Sequence, residues 1–160
     1  MRLRDLRNAD LDDLNVLYED ADLPEETPEG GMRGAVLAGR GPARTPLWKR
    51  TVRYAPWSGM RLGDTAGAPD EDGINRLGYG SLTFERYGFE SYVESDRDDG
   101  ALVLDYDVRE NPYALRRLKE RVRRVDGLYL GKAYLRVGGT EVFLHYYAME
   151  PAEREIPIRG

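Results

Sequence analysis

The sequence predicts a mainly β protein (α+β), an antiparallel meander with one helix before it and one within it. Three observations predict this. Residues 128–149 read LYLGKAYLRV, then Gly138-Gly139, then TEVFLHYYAM. Two strand-like runs around a two-residue glycine turn are the strongest short-range signal for a β-hairpin. Further strand-like runs precede it at 77–87, 88–95 and 101–108, with polar turns between. Helical spacing is confined to residues 1–23 and about 112–125. Successive hairpins of this length suggest a meander that either closes into a small barrel or wraps around the later helix.

Taken in order, residues 1–23 read as helix. Asn8 or Asp10 can cap it, Leu11, Leu14, Leu17 and Tyr18 recur on one face, and Pro24 ends it. PEETPEGG (24–31) is a polar linker. MRGAVLA (32–38) reads as a short strand, RGPARTP (40–46) as loop and LWKRTVRY (47–54) as a strand. The Gly/Pro/Asp-rich stretch 55–73 is expected to be a surface loop or a lid over a pocket mouth. Strands follow at 77–87 and 88–95, with Gly88 close to their junction, and at 101–108 after the turn DRDDG (96–100). Asn111-Pro112 supplies a helix N-cap and first residue, and Leu115, Leu118, Val122 and Val125 form an apolar seam ending at Gly127. The organisation expected is an N-terminal helical segment (1–23), one antiparallel β domain with a helix (24–150), and a tail (151–160).

Composition bounds the function. At 160 residues, 41% hydrophobic and 33% charged, the chain suits one globular domain. No apolar run reaches the roughly 18 residues of a membrane helix. Asp5 and Asp10 interrupt the N-terminus, so no signal peptide is read there. The chain has no cysteine, which removes disulfides, thiolate metal sites and thiol nucleophiles. These features lead to a cytoplasmic expectation. A net charge of −5 argues against general nucleic-acid binding.

Counting outward from a Val137–Thr140 pair sorts the closing hairpin into two faces. One is small and apolar, with Gly131 and Ala133 at its centre. The other carries Lys132, Tyr134, Phe143, His145 and Tyr147, with Arg136 opposite Glu141 near the turn. Aromatic walls with a few convergent polar groups suit a small-molecule pocket, so these five are the candidate ligand-binding residues. His145 is the single histidine, and an ammonium facing it would favour the neutral imidazole. A half-solvated antiparallel sheet would show the same alternation with no site at all. The count does not say which face looks inward.

Other candidates are weaker. Arg116, Arg117, Lys119, Arg121, Arg123 and Arg124 against Glu120 would give the later helix a basic stripe, able to meet an anionic partner at Arg116, Arg117 and Arg121. Asp105 with Asp107, and Glu90 with Glu94, are same-side carboxylates without a third fixed ligand, and DEDG (70–73) lacks the spacing of a calcium loop. No metal site is assigned. GxGxxG, P-loop, HExxH and GxSxG motifs are absent. Trp48 and Trp57 suit core filling or stacking on a ligand.

Gly30-Gly31-Met32-Arg33-Gly34 followed by AVL resembles the G-x-W-x-G opening of a group of small bacterial proteins, with Met32 in place of the tryptophan. Leu47-Trp48-Lys49-Arg50 resembles the W-x-K/R stretch downstream of that opening. The stretch from Asn111-Pro112 through LRRLKERVRRVDGLYLGKAY to the closing strand is similar to small calycin-like (lipocalin-like) domains. The resemblance spans about residues 30–149. It implies a meander barrel that holds an apolar ligand, with a helix packed outside, and it assigns no catalytic residue. The reading taken is a binding protein for a small apolar or aromatic ligand. Its alternatives are an interaction domain using the basic helix and a cofactor-independent isomerase or lyase using His145. No cofactor is expected; haem with His145 as axial ligand is the variant of the binding reading.

Overall fold

The computed structural model describes residues 1–40, 57–63, 72–79, 82–95 and 100–152. Eight antiparallel strands pair in sequence order, and the last returns to the first to close a barrel. They are β1 (Gly30–Gly39), β2 (Trp57–Leu62), β3 (Gly73–Tyr79), β4 (Leu82–Glu94), β5 (Ala101–Asp105), β6 (Leu118–Val125), β7 (Leu128–Val137) and β8 (Thr140–Pro151). Two short helices, α1 (Leu3–Leu6) and α2 (Leu11–Glu19), come before the barrel. Asp10 caps α2, its side chain accepting from the Asp13 N–H. The mainly β fold and the closing meander agree with the sequence; several elements differ.

The expected helix at 112–125 is a single 3-10 turn, Leu115–Arg117, followed by strand β6. The segment carries both periods. Leu115, Leu118, Val122 and Val125 fit a helix, while Leu118, Glu120 and Val122 alternate as a strand. The strand wins because β5 and β7 each need a partner for their backbone groups, and a barrel leaves no edge open. Asp126 and Gly127, both at positive φ (48° and 81°), then make the β6–β7 turn. Asp-Gly is a two-residue hairpin signal, and here it outweighs the reading of Gly127 as a helix cap.

The expected loop 55–73 contains strand β2. The expected strand boundary at Gly88 is absent: β4 runs through it, with a bulge at Tyr87 (φ 68°). The expected strand 47–54, with Trp48, lies outside the described residues, as does most of the 96–100 turn.

Two apolar cores share the barrel wall. Inside are Met32, Met60, Leu62, Phe89, Leu102, Leu104, Val122 and Met149, with the rings of Tyr106 and Tyr147. Outside, Leu3, Leu6, Leu14 and Tyr18 of the two helices pack on Leu128, Leu130, Tyr146 and Ala148. The outer faces of β7, β8 and β1 are thus covered by the N-terminal segment, and Leu11 and Leu17 join this contact as the helical pattern requires.

Candidate functional site

The closing hairpin forms as counted, with Val137 opposite Thr140 and positive φ at Gly138 and Gly139. The register then shifts. Ala133 pairs with His145 and Tyr134 with Phe143, so Leu144 is an extra residue in β8. A bulge of one residue reverses every side chain beyond it. Lys132 therefore faces Tyr146, and His145 and Tyr147 change sides.

The five candidate residues are divided by the barrel wall. Lys132, Tyr134 and Phe143 lie outside. The Lys132 ammonium sits over the Tyr18 ring at 4.2 Å and the Tyr146 ring at 5.4 Å. Phe143 packs edge-on between Tyr134 and Tyr146. This ladder fastens α2 to the barrel, and the Tyr146 hydroxyl donates to Asn15 at 2.7 Å. His145 and Tyr147 lie on the inner face. The aromatic wall on one face is a correction: a bulge in an unbroken strand run leaves no composition mark.

The basic residues do not form a stripe. Arg116 pairs with Asp107 at 2.7 Å, Lys119 with Asp105 at 3.6 Å, and Arg121 with Glu141 and Glu94. Arg117 donates to the Arg136 carbonyl. Arg123 is buried on the Tyr18 ring and donates to the carbonyls of Gly100 and Tyr18. Carboxylates answer Arg116, Lys119 and Arg121, backbone carbonyls answer Arg117 and Arg123, and Arg124 is exposed, so these residues, spread over a 3-10 turn and two sides of a strand, do not form the helical stripe expected to meet an anionic partner.

The inner face holds polar groups the sequence reading missed. Glu120 of β6 is 7% exposed and accepts a hydrogen bond from the Tyr147 hydroxyl at 2.7 Å. Tyr147 reaches it by lying across β7 at Gly131, where an added Cβ would sit 2.2 Å from the ring. The Trp57 indole N–H donates to Asn75 at 2.7 Å, and the Asn75 amide donates to the Tyr106 hydroxyl at 3.0 Å. Trp57 in turn lies over Gly34 and packs edge-on against Tyr147 at 5.4 Å. Burial drives the Glu120 carboxyl up to about 7, while hydrogen bonding from Tyr147 and Tyr106 holds it back. Burial, and then the charge of Glu120, push the phenols of Tyr106 and Tyr147 well above their usual range.

His145 belongs to the same row of inward positions. Across the sheet, Leu104 pairs with Glu120, Glu120 with Ala133, Ala133 with His145, and His145 with Gly39. Only the methyl of Ala133 separates the carboxylate and imidazole positions along this row. Burial lowers the His145 pKa to about 4, so the ring is neutral at neutral pH. The two ends of the barrel differ. At one, Leu62, Phe89, Leu102 and Met149 are buried. At the other, where β1 ends and β2 begins, the inward-facing Leu118, Leu135 and His145 are only half-buried. Period-two spacing of Leu118, Glu120 and Val122 was the signal that could have found Glu120.

Among the described residues no cluster of three metal-ligating side chains occurs, and no helix is long and apolar enough to cross a membrane. No family model matches the chain, and no curated protein or solved structure matches it.

Proposed function

We propose that the protein binds a small apolar or aromatic molecule inside the barrel, entering at the half-buried end and resting against Tyr147, Trp57 and the Glu120–Ala133–His145 row. One observation carries this reading: a carboxylate buried on the inner wall of a small barrel, between the apolar Leu118 and Val122 of its own strand and beside the Ala133 methyl. Burying it is costly, and an interior selected for stability alone would carry a leucine there. A carboxylate with a neutral imidazole in the same row supplies an acceptor and a second polar contact for a hydroxyl or amine on an aromatic body. Eight strands are wide enough for one small ligand, in keeping with the calycin-like resemblance. Of the residues first nominated, Tyr147 and His145 remain in this proposal.

Naphthol, an aromatic alcohol, is a direct probe. Its binding, followed by its own fluorescence, should saturate at one molecule per chain. Ala133→Leu, which fills the space between Glu120 and His145, should abolish binding while a thermal melt shows the variant folded. Equal binding by parent and folded variant, or none by the parent, would sink the proposal.

A further inference from the structure

A second cleft lies on the outer surface. It has a volume of about 820 Å³ and runs between the N-terminal segment and the barrel wall. Four arginines line it, Arg2, Arg4, Arg7 and Arg33, against one carboxylate, Glu150. That carboxylate is already occupied. One oxygen takes the Arg33 guanidinium and the other accepts the Leu3 backbone N–H at 3.1 Å. Burial alone would raise the Glu150 carboxyl, but the hydrogen bonds from Leu3 and Arg33 outweigh it and hold it low. Arg4 has a loose, exposed pairing with Asp5 at 3.6 Å. Arg2 and Arg7 have no carboxylate in ion-pair range among the described residues. A chain of net charge −5 thus sets four arginines against the carboxylates of Glu150 and Asp5 around one cleft.

The floor is of another kind. Pro151 and the Trp57 ring line it as well, with the edges of the buried Leu3 and Leu128. Among the described residues β1 and β2 pair over Gly30–Arg33, ending at Arg33 opposite Gly59, and Trp57 lies just beyond. Beyond that point Gly34 and Ser58 line the cleft. A basic rim over an apolar floor matches a molecule with an anionic head and an apolar body, and the volume suits one small ligand. Guanidinium forks favour flat or tetrahedral oxyanions, which can take two parallel hydrogen bonds.

We infer that this cleft binds an amphiphilic anion, a phosphate or carboxylate head on an apolar chain, with the head among Arg2, Arg7 and Arg33 and the chain along Pro151 and Trp57. The cleft shares Trp57 with the barrel interior, but its arginines do not belong to the interior. It stands even if the interior binds nothing.

Octyl phosphate below its micelle concentration is the probe, read by calorimetry and by Trp57 emission in a Trp48→Phe background. The expected result is saturable binding of one molecule per chain, weakened about tenfold or more when salt is raised to near 1 M. Arg2→Gln with Arg7→Gln should weaken it at least about tenfold. Octyl glucoside, with the chain but no charge, and inorganic phosphate, with the charge but no chain, should each bind at least about tenfold more weakly. Ala133→Leu, which alters the interior only, should leave binding unchanged. The inference is overturned if octyl glucoside or inorganic phosphate binds as well as octyl phosphate, if salt has no effect, or if the folded arginine variant binds like the parent. Sedimentation with phosphatidylglycerol vesicles separates a free amphiphile from a bilayer headgroup. Binding to vesicles without binding to octyl phosphate would also overturn it.

Discussion

Replacing Glu120 by glutamine should uncover a pH dependence that the native protein hides. Burial raises the Glu120 carboxyl from 4.5 to about 7. The folded state therefore keeps a proton that the unfolded chain gives up. The stability this provides is full below about pH 4.5 and is lost as pH rises through about 7. At about 1.4 kcal/mol per pH unit over about 2.5 units, the loss is about 3 kcal/mol. His145 acts in the opposite sense. Burial lowers its pKa from 6.5 to about 4, so the unfolded chain takes up a proton the folded state refuses. Its contribution is full above about pH 6.5 and is lost as pH falls through about 4, again by about 3 kcal/mol. Between about pH 4.5 and 6.5 the two slopes cancel. Glu85, held low by Arg61 and Arg76, and Glu150, held low by the Leu3 N–H and Arg33, add losses only below that window.

Urea unfolding at half-unit steps of pH tests this. The parent should be nearly flat across the window. Glu120→Gln keeps an oxygen for the Tyr147 hydroxyl and should become about 3 kcal/mol more stable, relative to itself, from pH 4.5 to 6.5. His145→Gln should lose a similar amount over the same range. A folded Glu120→Gln whose profile is as flat as the parent's would refute the reasoning, because the carboxyl would then have no raised pKa to remove.

Two further substitutions probe the geometry. Gly131→Ala puts a methyl into the Tyr147 ring, displacing the hydroxyl from Glu120, and should cost about 2–4 kcal/mol in urea unfolding; a loss below about 0.5 kcal/mol would mean the ring does not cross β7 there. Glu85→Gln should cost about 2 kcal/mol, since Glu85 lies between Arg61 at 2.6 Å and Arg76 at 3.1 Å and the buried Nη1 of Arg76 has no hydrogen-bond partner; an unchanged urea midpoint would show that the two guanidinium groups need no shared counterion.

The hairpin turn was legible because Gly-Gly must serve positive φ at both central positions. Its first pairs, from Val137–Thr140 through Arg136–Glu141, followed by counting. The count failed at Leu144, where an extra residue leaves hydrophobic alternation looking unbroken. Tyr147 and His145 were nominated, but for the wrong neighbours. Glu120 was passed over because a helical reading of 112–125 made it one acid among six bases. Read as a strand, it lies between two inward apolar residues, where an acid is conspicuous. Asn75 and Tyr106 carried no local signal, since their importance comes from three strands meeting at one point inside the barrel.

The N-terminal helices give the barrel an unequal wall. Strands β7, β8 and β1 are packed on both faces, one on the inner core and one on α1 and α2. Across the barrel no helix packs on the outer faces of β2 to β4 among the described residues, and there β1 pairs with β2 at four positions. Opening the first side requires two cores to separate at once, whereas the second can part by breaking a short ladder. The barrel thus has a stiff half and a compliant half, and Trp57 stands at the seam between them.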